Sequence, residues 1–290
     1  MEHSPVMLKE VLSMLSPRAK GVYFDGTFGG GGYTRAMLEA DDCRVIACDR
    51  DAAVGTVADE FARVYGERFR FVHSKFSRIK SILDDCGLEK LDGIVLDLGV
   101  SSFQLADPAR GFSFRLNGPL DMRMGLCGNT ALEIIRKYQE RDLANIIYEF
   151  GEEPFSRSIA KNIKSSLNKI KTTEDLAGVV RACLRKTRKI DPATKTFQAL
   201  RIFVNDELNE LRSVLADSVE LLRPNGKVIV VSFHSLEDRI VKTFFRSLIK
   251  GENSAGFKSL NKKVLTPAPR EILANPRARS AKLRGLAVLK

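Results

Sequence analysis

Long apolar runs are missing from this 290-residue chain. None approaches the ~20 residues that a bilayer-spanning helix needs, so no membrane partner is expected. The opening residues, MEHSPVMLKE, hold neither a basic n-region nor an apolar core, so no secretory signal is expected. Histidine is scarce: His3, His73 and His234 lie far apart, which argues against a histidine metal site. Cysteine is limited to Cys43, Cys48, Cys86, Cys127 and Cys183, an odd number with no CxxC pair. That excludes a disulfide framework and a structural zinc site, and it suits a reducing, cytoplasmic setting. No metal is expected. What remains is an ordinary globular composition, 44% hydrophobic and 29% charged. The length allows one large α/β domain, or one domain with an insertion.

The net charge of +11 is unevenly spread. Residues 1–107 carry a net of −4, residues 108–200 of +7, residues 201–241 of −2, and residues 242–290 of +10. Segregation of this kind favours a polyanionic partner.

Residues 6–15 place apolar side chains at helical spacing, and Pro17 ends the pattern. Short apolar runs then read as strands: GVYFD (21–25), RVIACD (44–49), 69–72 and GIVLD (93–97). Helical stretches near 33–40, 52–65 and 77–86 separate them. Strands that are apolar throughout, alternating with helices, predict a parallel sheet covered on both faces. The alternation stops at 105–130, which reads as loop, and from 131 to about 189 the pattern is helical. One long helix is expected at 196–222, ending in an Arg223–Gly226 turn before a fifth strand, KVIVVSF (227–233). A further edge strand is expected at 286–289. The simplest reading is a doubly wound α/β domain built from 1–107 and 201–290, interrupted by a helical insertion at 108–200.

The segment Asp25-Gly26-Thr27-Phe28-Gly29-Gly30-Gly31-Gly32 follows the first strand and precedes a helix. Glycines there let the backbone turn sharply and approach a ligand, and a helix N-terminus favours electronegative groups. Such a loop alone is often only a tight turn. Here Asp49 ends the second strand, 20 residues after Gly29, where a carboxylate can accept from both ribose hydroxyls of an adenosine. The glycines do not fit G-x-G-x-x-G cleanly, and no basic residue that could neutralise a pyrophosphate appears before Arg35. A D-G-T-x-G-x-G loop opened by an acidic residue is instead similar to the first motif of S-adenosylmethionine methyltransferases.

Phe76 follows the third strand, where an aromatic ring can stack on adenine or simply fill the core. Asp97 ends the fourth strand in DLGVSS (97–102); an unpaired buried Asp is costly, which favours a ligand-paired role. Three polar segments complete the set: RGFSFR (110–115), PLDMRM (119–124) and SFHSLEDR (232–239). His234 reads equally as a cap, a core histidine or a pocket residue. In the basic C-terminal segment, Arg277, Arg279, Lys282 and Arg284 fall within eight positions.

Together these segments resemble the RsmH (MraW) family of small-subunit (16S) rRNA cytosine-N4 methyltransferases. The match runs along the whole chain: His3-x-Pro5-Val6 with Glu10, DGTFGGGG, Asp49-Arg50-Asp51, LDLGVSSFQL (96–105), RGFSF (110–114), PLDMRM (119–124), TFQALRIFVNDEL (196–208), SFHSLEDRIVK (232–242) and NPRARSAKLR (275–284). The resemblance implies a class I (Rossmann-like) S-adenosylmethionine methyltransferase domain with an inserted helical domain; the helical pattern and +7 balance of 108–200 make that insertion the candidate for RNA recognition. It implies S-adenosyl-L-methionine as cofactor, held by Gly31, Gly32, Tyr33, Asp49, Phe76, Asp97 and Gln104. The family often has His where this chain has Tyr33, so a backbone contact is expected there. The implied substrate is N4 of a decoding-centre cytosine in ribosomal RNA, free or within the small subunit. Ser101, His234, Arg277, Arg279 and Arg284 are the candidate RNA contacts.

Methyl transfer to N4 needs a flipped base, an in-line approach and a proton acceptor; Asp97 or a nearby backbone carbonyl is a candidate acceptor. Where base amino-methyltransferases usually carry D/N-P-P-Y/F, this chain has Asp97-Leu98-Gly99-Val100. Two rival readings stay open. One is an NAD-dependent dehydrogenase on the same sheet; the other is a catalytically silent RNA-binding assembly factor.

Overall fold

The computed structural model describes residues 5–125, 127–184, 190–251 and 254–289. His3 and the end of the helical pattern at 185–189 lie outside the described residues. The chain divides into two compact units, 1–99 with 208–290 and 100–207. The sequence pattern alone places these borders at 107/108 and 200/201.

In the discontinuous unit the elements run α1 (Leu8–Leu15), β1 (Val22–Asp25), α2 (Gly32–Ala40), β2 (Arg44–Asp49), α3 (Gly55–Tyr65), β3 (Phe69–His73), α4 (Ile79–Asp85) and β4 (Leu91–Asp97). The other unit holds α5 (Ser102–Ala106), α6 (Ala131–Lys137), α7 (Glu140–Gly151), α8 (Ser156–Ser165), α9 (Thr173–Ala182) and α10 (Ala193–Asn205). The chain then continues through α11 (Glu207–Leu221), β5 (Leu222–Ser232), α12 (Ser235–Lys250), β6 (Phe257–Ser259), α13 (Pro269–Ala274) and β7 (Lys282–Val288).

The sheet order is β3-β2-β1-β4-β5-β7-β6. Side chains along each strand point alternately to opposite faces. Tyr23, Val45, Ala47, Val95, Ile229 and Val231 therefore join α1, α2 and α3 in one core, with Leu15, Met37 and Phe61. Phe24, Ile46, Cys48, Ile94, Leu96, Val228 and Val230 join α4, α11 and α12 in the other, with Ile82, Leu211 and Phe245. Burial on both faces is why these strands are apolar without a break. The first crossovers leave β1 on one face and the return to β4 lies on the other, so the strand order reverses between β1 and β4. A crevice opens beyond the carboxyl ends of the strands at such a reversal.

Four expectations need correcting. The sheet is not wholly parallel: β1 to β5 run parallel, but β7 pairs antiparallel with β5 and with β6. Nor is the C-terminal strand an edge. It starts at Lys282 and lies between β5 and the short β6, with Leu283, Leu286 and Val288 buried. Finally, the long helix at 196–222 is two helices, broken where Asp206 takes the left-handed conformation (φ 54°). Asp tolerates that region better than most residues, so no glycine marks the break. β5 also begins earlier than expected, at Leu222; its pairing with β4 jumps from Leu222 to Lys227 around Asn225, itself left-handed (φ 66°).

The 100–207 unit has its own core, centred on Leu120, Ile135, Leu143, Ile147, Ile159, Leu176 and Leu200. Its polar motif residues hold loops in shape. Arg110 donates to the carbonyls of Arg123 and Met124 at 2.9 and 2.8 Å, and Asp121 accepts from Arg123 Nε at 2.8 Å. Asn205 accepts from Met124 N at 2.8 Å and donates to Met122 O at 2.7 Å. Among the described residues, no helix is long and apolar enough to cross a membrane.

Candidate active site

β2, β1 and β4 are neighbours, and each ends in an aspartate: Asp49, Asp25 and Asp97. Between β1 and α2 the glycine-rich loop is pinned to both flanking strands. Gly26 N donates to Val95 O and Phe28 N to Cys48 O, each at 3.0 Å. Gly31 needs its freedom, because its φ of 74° is left-handed and a side chain there would strike the Phe61 ring. Gly26 has no room for one either: its Cβ would lie 2.5 Å from a Leu96 methyl and 3.1 Å from Phe76 Cβ.

The three aspartates have different duties. Asp25 is fully buried and used within the loop: Oδ1 accepts from Thr27 N at 3.1 Å and Oδ2 from the Thr34 hydroxyl at 2.7 Å. Burial pushes its carboxyl up to about 6, against the pull of those bonds. Asp49 accepts from Gly29 N and Asp51 N, both at 2.9 Å. A carboxylate has about four lone-pair sites, so acceptor capacity is left over. Burial raises this group too, partly offset by the amides of Asp51 and Gly29. Asp97 is anchored through its backbone, N to Thr27 Oγ1 at 2.7 Å, but its buried Oδ1 has no hydrogen-bond partner among the described residues. Burial drives its carboxyl well above the usual range, and the nearby charges of Asp25 and Glu237 add to this. Three carboxyl groups beyond the strand ends oppose a pyrophosphate and match a cation. That counts against the dinucleotide alternative.

Of the other cofactor candidates, Tyr33 is spoken for. Its ring is 3% exposed and its hydroxyl donates to Val6 O, tying the N-terminal segment to α2. Gly31 and Gly32 stand at the start of α2; Gly31 N donates to Phe28 O at 2.7 Å, so the amides left for a ligand begin at Gly32. Phe76 opens a short 3₁₀ turn after β3, beside the loop. Ser74 N donates to Asp49 O at 3.0 Å, so the Phe76 turn and the end of β2 are tied together. Gln104 lies in the other unit, as does Ser101. They cap α5 reciprocally: Ser101 Oγ accepts from Gln104 N at 3.2 Å, and Gln104 Oε1 from Ser101 N at 3.0 Å.

His234 is the N-cap of α12. Its Nδ1 accepts from Glu237 N at 3.4 Å, which puts the ring proton on Nε2, 3.1 Å from Glu237 Oε1. It also lines a groove of about 250 Å³ with Arg279, Lys282, Ser235 and Thr266. Arg277 and Arg279 are exposed, whereas Arg284 donates through Nε to Asp238 Oδ1 at 2.7 Å and is 19% exposed. Sequence reasoning missed Thr27, Thr34, Glu210, Glu237 and Asp238. The two threonines lie inside or beside a recognised motif, and Glu237 and Asp238 inside the polar segment 232–239, with no role read for any of them; Glu210 lies on a helix outside every motif singled out.

A model of the MraW methylase family matches residues 1–288. "Ribosomal RNA small subunit methyltransferase H" of Ehrlichia chaffeensis is 50% identical, with 98% of this chain and 99% of that protein covered. The protein of the same name from Acidiphilium cryptum is 48% identical over 99% of this chain and 97% of its own. Among solved structures, a putative methyltransferase from Streptococcus mutans in complex with SAH aligns over 100% of both chains, with a TM-score of 0.48 and 10% identity. The doubly wound sheet with its antiparallel β7, interrupted by a helical unit, is the class I methyltransferase architecture. Sharing half its residues with such relatives along nearly its full length, and matched by the family's model almost end to end, this chain belongs to the MraW methylase family and is a methyltransferase.

Proposed function

We propose that this chain transfers the methyl group of S-adenosyl-L-methionine to the exocyclic N4 of a cytosine in the decoding region of small-subunit (16S) ribosomal RNA, in the cytoplasm. The observation that carries the reading is the buried Asp97 carboxyl, with one oxygen lacking a partner, at the end of β4. Beside it stand two more carboxyl groups and a glycine-rich loop. The name shared by the relatives supports small-subunit RNA as substrate, and the sequence resemblance supports cytosine N4.

The residues present fit this cofactor. Asp49 has acceptor capacity left for ribose hydroxyls, the start of α2 offers amides, half-buried Phe76 packs on the core with part of its side chain exposed to meet adenine, and Asp97 Oδ1 is an acceptor without a partner among the described residues, which a cationic ligand would satisfy. When bound, S-adenosylmethionine supplies a methyl group made electrophilic by its sulfonium. The cytosine amine is a poor nucleophile because its lone pair is conjugated with the ring. The protein's main contribution is to hold that amine in line with the methyl carbon. Asp97 would accept a hydrogen bond from the amine, draw the pair out of conjugation and take the proton; a backbone carbonyl close to it would accept the hydrogen bond only, with the proton passing to solvent. Asp97 must be ionised to do so, a form that a positive charge beside it favours. The base reaches the pocket by leaving its stack.

The 100–207 unit, with Ser101, and the C-terminal residues Arg277 and Arg279 with His234 serve RNA binding in this reading. Arg284 acts there only indirectly, since its guanidinium is bonded to Asp238. The test is incubation with methyl-labelled S-adenosylmethionine and small-subunit RNA from cells lacking the protein. Label in N4-methylcytosine is expected. RNA binding with no transferred label would favour a silent assembly factor instead.

A further inference from the structure

Glu210 stands on α11, 135 positions from Lys75 in the chain. Its carboxylate is only 10% exposed and both oxygens are used. Oε1 accepts from Lys75 Nζ at 2.8 Å, and Oε2 accepts from the Ser77 hydroxyl. These are the two residues on either side of Phe76. A buried carboxylate is costly unless satisfied, and here it is satisfied by the neighbours of one aromatic side chain. The Lys75 half of the grip is 43% exposed on the lysine side, so as an ion pair it adds little to stability. The arrangement is better explained by geometry.

Phe76 begins a 3₁₀ turn of three residues, too short to set a ring direction on its own. The turn is instead held from three sides. Ser74 N bonds to Asp49 O at 3.0 Å, Phe76 Cβ lies against the bare backbone of Gly26, and Glu210 grips Lys75 and Ser77. The first two restraints come from the loop and strand that border the crevice. The third comes from a helix, and it fixes the residues immediately before and after the ring.

We infer that Glu210 is a positioning residue for the adenine of the cofactor: by holding Lys75 and Ser77 it fixes the aromatic face of Phe76 beside Asp49. This rests on the reading of Phe76 as the adenine platform. Fixing the turn in advance spares the ligand the cost of ordering it, which is where preorganised sites gain affinity.

The test is a double-mutant cycle on the dissociation constant of S-adenosylhomocysteine, measured by calorimetry on the full chain, with circular dichroism as the check of folding. Phe76→Ala should weaken binding about tenfold, the scale of one base–aromatic stack. Glu210→Ala should weaken it by roughly three- to tenfold when Phe76 is present, the scale of ordering one side chain, and hardly at all when it is combined with Phe76→Ala. Glu210→Gln, which keeps an acceptor for Ser77, should recover most of the loss. Should Glu210→Ala fold poorly, Ser77→Ala and Lys75→Met test each half of the grip in the same cycle. Equal weakening in both backgrounds would overturn the role of Glu210 while leaving Phe76 as the platform. Unchanged affinity in folded Phe76→Ala would remove the stacking reading itself, and this inference with it.

Discussion

Asp97→Asn is the substitution that most sharply separates a ligand-paired carboxyl from a structural one. In the free protein, Oδ1 is buried without a partner, and the nearby Asp25 and Glu237 are of like sign. A neutral amide of the same shape removes that repulsion, so the variant should be at least as stable as the parent. Binding should respond the other way. If Asp97 pairs with the cationic end of the methyl donor, its loss removes one charged hydrogen bond, about 1.5–3 kcal/mol, or roughly 10- to 150-fold in affinity. A second signature follows from burial. Burial holds the Asp97 carboxyl above the usual carboxylate range, and a cation bound beside it pulls it back down. Binding should therefore be accompanied by proton release at pH values where the free carboxyl holds its proton. Titration calorimetry in buffers of different ionisation enthalpy measures affinity and proton release together. The parent should release protons on binding S-adenosylmethionine, and Asp97→Asn should release fewer and bind more weakly. Unchanged affinity and proton release in a folded variant would refute the reasoning.

Asp49→Ala should weaken cofactor binding by about 1.5–3 kcal/mol and also loosen the loop, since Gly29 N loses its acceptor; calorimetry and thermal melting separate the two effects. Asp25 predicts a pH effect on stability. Its folded-state carboxyl sits at about 6, above its value in an unfolded chain, so its contribution is fully present below about pH 4 and is lost as pH rises through 6. Asp25→Asn should flatten that part of a melting-temperature profile, and a slope that persists unchanged would assign it elsewhere. Changing Arg277 and Arg279 together to Gln should flatten the salt dependence of RNA affinity by about 1.4 in log–log slope, 0.7 for each phosphate no longer neutralised. Parallel lines would mean that neither touches phosphate. Arg284→Gln should instead lower stability, because it strips Asp238 of its 2.7 Å partner.

How much was legible in the sequence depended on how local each cause was. Strands β1, β2, β4 and the second half of β5 could be read because both their faces are buried, leaving runs such as VIAC and GIVL apolar throughout. β7 was half hidden because Lys282 and Arg284 interrupt its apolar residues. Both bond Asp238, a partner more than forty positions away on α12, so they sit within a sheet rather than in solvent. The break between α10 and α11 carried no glycine or proline; Asp206 supplies the left-handed residue. At the site, the positions of Asp25, Asp49 and Asp97 at strand ends followed from the motifs. What each carboxyl does depended on partners brought by folding: Thr34 for Asp25, Gly29 for Asp49, and none for Asp97 Oδ1. Glu210 was illegible for the same reason, since the lysine and serine it grips are set beside it only by the sheet and helix between them.

The central claim is the chemical identity of the modified atom. Small-subunit RNA from cells lacking this chain, and from the same cells supplied with the parent or with Asp97→Asn, can be cut into fragments and compared by mass spectrometry with nucleoside standards. One decoding-region fragment should lack a methyl group in the deficient cells. The parent should restore it as N4-methylcytosine, and Asp97→Asn should restore little or none. Identical fragments in deficient and parent cells, or a restored methyl on a ribose oxygen or a ring carbon, would contradict it.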